Sequence, residues 1–314
     1  MFPVPPMARM IRLFVLGLAW LLAMPAHAEG MVHILLGDPG PAYQEAAEAF
    51  RAGLGGRRPL RVWNPAELNA AQLQVLSRGG DLLVPVGLKT ARMLAEQHGG
   101  RAPVLTLLLP RAAAEQLPWP ASLPRNRVSH VYIDQPAART LGLLDMAFPN
   151  LRRIGLVVSD ENQSQVRQLL QEALRRKQEL VVETIDSADG LAPALRRLLP
   201  TVDALLLVPD SLAINSGNAQ NVLLTTYRYR VPVMGFSQGL SKAGAIASVY
   251  SSPAQIGRQG AQMAVRWLHD EGELPPAQSA GEFSLAFNAR VGRSMGLAMP
   301  DEADIRRKLG ARDE

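Results

Sequence analysis

Short apolar runs alternate with amphipathic stretches along nearly the whole chain. Apolar runs at 32–36, 60–63, 82–86, 104–108 and 128–133 predict strands, and a second set follows at 154–158, 180–184, 204–208, 231–235, 245–250 and 283–287. Helical spacing of apolar positions lies between them, over 43–54, 68–78, 90–98, 137–148, 163–177, 217–229 and 254–269. Near-continuous apolar strands separated by amphipathic helices are the pattern of parallel sheets covered on both faces. In 163–177, Val166, Leu169, Leu170, Ala173 and Leu174 form a stripe expected to cover a sheet, with Arg, Gln and Glu on the outer side. Two successive sets of about five strands predict two doubly wound α/β units. An eight-fold barrel is the competing topology, and the Pro-rich stretch 117–124 interrupts the regular repeat it needs. The Pro- and Gly-bearing segment 271–281 reads as a crossover.

The start of the chain reads differently. Arg9 and Arg12 precede an apolar run at 13–24, and Ala26-His27-Ala28 supplies small residues at the two positions that a signal peptidase inspects. The run is shorter than the roughly 20 residues a membrane-spanning helix needs. Residues 1–28 are therefore expected to be a signal peptide, cut after Ala28 to leave Glu29 as the first residue; a retained membrane anchor is the alternative. The sequence has no cysteine, which excludes a disulfide, a thiolate metal site, a thiol nucleophile and a lipid-modified N-terminal Cys. An exported chain with no lipid anchor suits the periplasm between two membranes.

Loss of Arg9 and Arg12 takes the formal charge from +5 to +3, with both signs interspersed, and such an excess does not call for nucleic acid. Arg57-Arg58, Arg152-Arg153, Arg175-Arg176-Lys177 and Arg196-Arg197 read as solvated faces. The 286 residues left when 28 are removed from 314 suffice for two lobes with their own cores.

In open parallel sheets ligands sit beyond the carboxyl ends of the strands. In the first half this singles out Asp38, Lys89, Thr90 and Arg111 in strand-end loops, with Tyr132 and Asp134 at the end of the fifth predicted strand. In the second half it singles out Asp160, Asn162, Asp210, Ser211, Ser237 and Gln238. Asp, Ser and Asn just before a helix are also preferred N-caps, so Asp160, Asn162 and Ser211 have a structural alternative. Lys89 and Arg111 offer charge for an anion or simply face water, and Tyr132 either stacks on a ring or closes the core.

One string points to catalysis. Gly235-Phe236-Ser237-Gln238-Gly239 matches the Gly-x-Ser-x-Gly nucleophile elbow, which needs a downstream acid and histidine, and His269 is the only histidine that follows it. His33, His98 and His130 are scattered without a His-Glu-x-x-His pair, so neither a metal nor a cofactor is expected. Gly53-Leu54-Gly55-Gly56 reads as a helix C-cap. There is no Walker A string, so any partner ATPase is another chain.

The stretch from Tyr229 through Val231-Pro232-Val233-Met234-Gly235-Phe236-Ser237, on through Leu240-Ser241-Lys242-Ala243-Gly244 to Gln255-Ile256-Gly257-Arg258-Gln259, resembles one family. Phe148-Pro149-Asn150-Leu151, Val202-Asp203-Ala204, Asn288-Ala289-Arg290 and Gly296-Leu297-Ala298-Met299-Pro300 add to the likeness. The family is the substrate-binding proteins of ABC importers whose best-known members carry aromatic amino acids. The resemblance is specific from about Leu141 onward, and Gly87-Leu88-Lys89-Thr90-Ala91 takes the place of a Gly-Thr or Gly-Ser pair. It implies an α/β fold of periplasmic binding protein type I, two doubly wound parallel-sheet lobes joined by a three-crossing hinge near Asp134, near Ser251 and over 272–281. Lobe 1 is then 29–134 plus 252–274, and lobe 2 is 135–251 plus 275–314. The implied function is non-catalytic capture of a small molecule, an amino acid or other small anion, by a monomer that delivers it to an inner-membrane ABC permease. A sensing module that shows its closed state to a receptor or kinase is the runner-up, and a serine hydrolase using Ser237 comes third. Gln238 and Gly239 depart from the family, which commonly has an acidic residue just after the position of Ser237.

Overall fold

The computed structural model describes residues 30–269 and 272–313. The expected signal peptide, its cleavage after Ala28 and the start at Glu29 lie outside the described residues.

Two six-stranded sheets form, each from one half of the chain plus a late returning strand. The first holds β1 (Val32–Leu36), β2 (Leu60–Trp63), β3 (Leu82–Val86), β4 (Val104–Leu109), β5 (Val128–Tyr132) and the short β11 (Gln278–Ser279). Its order is β11-β5-β4-β3-β1-β2, with every pair parallel. The second holds β6 (Arg153–Ser159), β7 (Glu179–Ile185), β8 (Ala204–Leu206), β9 (Val233–Gly235), β10 (Ala247–Tyr250) and β12 (Ser284–Phe287), in the order β12-β10-β9-β8-β6-β7. Here β12 runs antiparallel to β10, with Ala247 opposite Phe287, so this sheet is parallel except at one edge. An antiparallel edge strand on a parallel sheet is a common arrangement. The expected pair of doubly wound α/β units is thus the observed architecture, and among the described residues the sheets stay open and form no barrel.

The period-2 alternation of β1 shows how the layers assemble. Val32, Ile34 and Leu36 point to one face, where they meet Phe50 and Leu54 of helix Pro41–Leu54 and Met263 and Trp267 of helix Pro253–His269. Leu35 points to the other face, toward Leu73 of helix Ala70–Arg78 and Leu94 of helix Leu88–Gln97. In the second sheet Ile154, Leu156 and Val158 of β6 pack with Leu144, Val166 and Leu169, while Val157 faces Leu195 and Leu198.

Two helical expectations need correction. In helix Gln163–Arg175 the core stripe is Val166, Leu169 and Ala173, whereas Leu170 and Leu174 are 39% and 78% exposed. The polar side is also not wholly solvated. Glu172 is buried against Arg176, whose side chain is only 11% exposed, through a 2.6 Å ion pair. Leu170 and Leu174 each follow a core residue by one position, about 100° further round the helix, which turns them off the sheet toward water. The Gly55 expectation holds, since it caps Pro41–Leu54 with φ +61°.

The three crossings are tied to one another. Gln135 donates to Ser251 Oγ at 3.0 Å, and Ser251 donates to the Glu282 carbonyl at 2.7 Å. Buried Arg139 donates to Gln135 Oε1 at 2.7 Å and to the carbonyls of Ala280 and Gly281 at 3.2 and 3.1 Å.

Candidate functional site

The carboxyl ends of both sets of strands converge on one cleft. A cavity of about 230 Å³ has one wall from the first sheet's loops, Leu88, Pro110, Ala112 and Ala113. Its other wall comes from the second sheet's loops, Glu161, Asn162, Pro209, Asp210, Ser211 and Ile214. Ile133 and Phe236 line it and also line a second cavity of about 420 Å³, walled by Leu108, Ser237, Gln238, Tyr250 and Ile256 with Glu45 at its side. Leu108 has φ +59°, in the left-handed region, where the β4–β5 register shifts between Leu107 and Leu109. Such a backbone costs a non-glycine residue of order 1–2 kcal/mol, and here it sets a leucine into the cleft wall.

The residues expected from the sequence divide into three groups. Asn162, Asp210 and Ser211 line the first cavity, and Ser237 and Gln238 line the second. Asp134 lines a separate void of about 20 Å³ beside Gln165, Arg111 and Ser279, and Asp160 lines a depression beside Arg197 on the second unit. Asp38, Lys89, Thr90 and Tyr132 line neither cleft cavity. Exposed Asp38 accepts the Gly40 N–H at 2.7 Å in a local turn, Lys89 is exposed, and Thr90 is buried. Tyr132 is buried, with the Arg111 guanidinium 4.5 Å above its ring and His130 stacked at 5.6 Å.

Inside the cleft the polar groups hold each other. Asp210 Oδ2 accepts Ser159 N at 2.7 Å, Ser159 Oγ at 2.8 Å and Asn162 Nδ2 at 2.5 Å. Its Oδ1 accepts the N–H groups of Leu212 and Ala213 at 2.9 and 2.8 Å. Ser237 has ordinary extended backbone, φ −152° and ψ 157°, and its Oγ accepts Leu240 N at 3.1 Å as the N-cap of helix Gln238–Ala243. A nucleophile elbow holds its serine in a strained turn instead. Gly235 of the same string is small because a Cβ there would lie 2.6 Å from Ser248 Oγ and 2.9 Å from Leu240 Cβ. Close packing of strand on helix thus accounts for the first glycine of the Gly-x-Ser-x-Gly string.

A family model for ABC transporter substrate binding proteins matches residues 63–305. The chain belongs to that family. The fold of this substrate-binding family member is shared with solved structures at low identity. A substrate-binding protein with adhesive properties from Clostridium difficile, in its ligand-free open structure, is 18% identical, with a TM-score of 0.66 over 87% of this chain and 96% of the other. An ABC domain in complex with L-Trp from Streptococcus pneumonia is 17% identical, with a TM-score of 0.63 over 90% and 99%. A periplasmic ribose ABC transporter structure from Conexibacter woesei is 14% identical, with a TM-score of 0.54 over 86% and 95%. A search of curated proteins by sequence matches none.

For this substrate-binding protein, sequence reasoning missed the apolar majority of the cleft wall: Leu88, Leu108, Ala113, Ile133, Ile214 and Phe236. They sit in or beside strand-end loops, so position alone could have nominated them. Their apolar side chains carry no local signal that separates a cleft wall from a core.

Proposed function

We propose that the protein is a non-catalytic solute-binding component that captures a small molecule between two lobes and hands it to an inner-membrane ABC permease. The expected boundary at 274/275 moves past β11, which pairs with β5 of the first sheet, so the lobes are 29–134 plus 252–279 and 135–251 plus 280–314, acting in the periplasm as a monomer after cleavage behind Ala28. The observation that carries this reading is a cleft walled by strand-end loops of both sheets, in a chain of the substrate-binding family. A capped, unstrained Ser237 supports the non-catalytic side.

A small-molecule library is screened by thermal shift against the mature chain and against Ala113→Trp, which fills the cleft. A ligand at 100 times its Kd stabilises by about 2.7 kcal/mol. At least one compound is expected to raise the Tm of the wild type and not of the variant. Stabilisation that is equal in both proteins would refute cleft binding. N-terminal sequencing of periplasmic material is expected to begin at Glu29, and an intact Met1 terminus there would remove the export step.

A further inference from the structure

The cleft wall is made chiefly of hydrocarbon, with Leu88, Ala113, Ile133, Ile214 and Phe236 around the first cavity and Leu108 and Ile256 extending it into the second. Among the described residues, the charged ones lining the two cavities are Glu45, Glu161 and Asp210, and no Lys or Arg lines either. An anion buried in such a place needs a cation or unpaired N–H groups, because an uncompensated charge in an apolar site is strongly disfavoured.

Several of the strand-end N–H groups that could serve are already occupied by the protein's own side chains. Asp210 holds Ser159, Leu212 and Ala213, Asp134 holds Arg111 at 2.7 Å, and Ser237 holds Leu240. The two nearby cations are placed elsewhere, Arg111 over the Tyr132 ring and Lys89 exposed outside both cavities.

One polar group in the wall has the opposite need. Asn162 is 2% exposed, and the bond from its Nδ2 to Asp210 fixes the amide so that Oδ1 is an acceptor with no partner. A buried acceptor without a donor is costly, and a ligand N–H or O–H would satisfy it.

We infer that the cleft takes a small molecule with an apolar body and no anionic group, which donates an N–H or O–H to Asn162. This rests on the binding reading above and narrows it to a ligand class that excludes free amino acids and other carboxylates.

The test uses two dyes with the same aromatic body and the same N–H. N-phenylnaphthylamine is neutral, and anilinonaphthalene sulfonate adds one anionic group. Each is titrated by fluorescence into the mature protein, Ala113→Trp and Ala113→Arg. The neutral dye is expected to bind saturably, at least tenfold more tightly than the sulfonate, and at least tenfold more weakly to Ala113→Trp. Ala113→Arg sets a cation on the wall and is expected to narrow or reverse the preference. Equal or tighter cleft binding of the sulfonate by the wild type overturns the inference. So does the absence of any binding of the neutral dye that Ala113→Trp abolishes. A cleft-dependent hit in the library screen then shows that only the ligand class was wrong, whereas no hit there sinks the binding reading as well.

Discussion

At the scale of single residues, the polar side chains divide into those that line the cleft and those that hold the loops around it. Ser237 belongs to both groups. Its cap to Leu240 is of a kind worth about 1 kcal/mol, so Ser237→Ala is expected to lower the unfolding free energy by about that amount in denaturant titration. A fluorophosphonate probe should leave the wild type unlabelled, and stoichiometric labelling would restore the hydrolase reading.

Asp134 gives a pH signature. Burial pushes its carboxyl up to about 6, against the pull of the Arg111 N–H. The folded state therefore binds this proton more tightly than the unfolded chain. The stability it contributes is fully present below about pH 4 and is lost as pH rises to about 6. Burial pushes His130 the other way, down to about 4 from 6.5, so its contribution is present above about pH 6.5 and is lost as pH falls toward 4. The two sites oppose each other in the same window. In Asp134→Asn, which keeps an acceptor for Arg111, the gain in stability at pH 7 should exceed that at pH 4 by about 1–3 kcal/mol. Chemical denaturation at the two pH values measures it, and an equal difference at both would contradict a raised Asp134.

At the scale of elements, the contact between helices Pro41–Leu54 and Pro253–His269 is close because small residues face each other. A Cβ on Gly257 would strike the backbone carbonyl of Ala46, and one on Gly53 would lie 2.7 Å from the Ala261 Cβ. Gly310, within helix Glu302–Asp313, meets nothing within 4 Å. The same chemical change should thus have opposite signs at two helical glycines. Gly257→Ala is expected to destabilise by about 1–3 kcal/mol through overpacking. Gly310→Ala is expected to stabilise by about 0.5–1 kcal/mol, the usual difference between Ala and Gly in a helix. Thermal unfolding of the two variants decides it, and a neutral Gly257→Ala would show that the helices can separate at little cost. The sequence pattern found both helices but not their separation, since the Val, Leu and Ile period marks a face and does not say how near its neighbour lies.

At the scale of the whole molecule, Arg139 and Gln135 join the crossings that any lobe movement must use. Arg139→Leu removes the donor from the carbonyls of Ala280 and Gly281 and is expected to cost about 1–3 kcal/mol. If the crossings act as a hinge, small-angle scattering should show a smaller radius of gyration for the wild type at saturating hit compound, and a weaker change for this variant. An unchanged wild-type radius would count against closure.

The sequence by itself determined the two α/β units, the order of most strands and helices along the chain, and the family likeness of the second half. These rest on local periodicity, which a stretch of ten or so residues carries within itself. It also brought Asn162, Asp210, Ser211, Ser237 and Gln238 to the cleft, because strand-end position is local too. Only the tertiary structure decided what those groups do. Asp210 meets Ser159 and Asn162 across about fifty residues of chain, so whether its carboxylate awaits a ligand or is already full depends on loops brought together by folding. The same holds for Tyr132, Thr90 and Asp38, which share the strand-end pattern and yet point into a core or a local turn. The apolar character of the cleft was likewise settled in three dimensions, because a leucine or phenylalanine in a loop reads in sequence like any core residue until the opposite wall is in place.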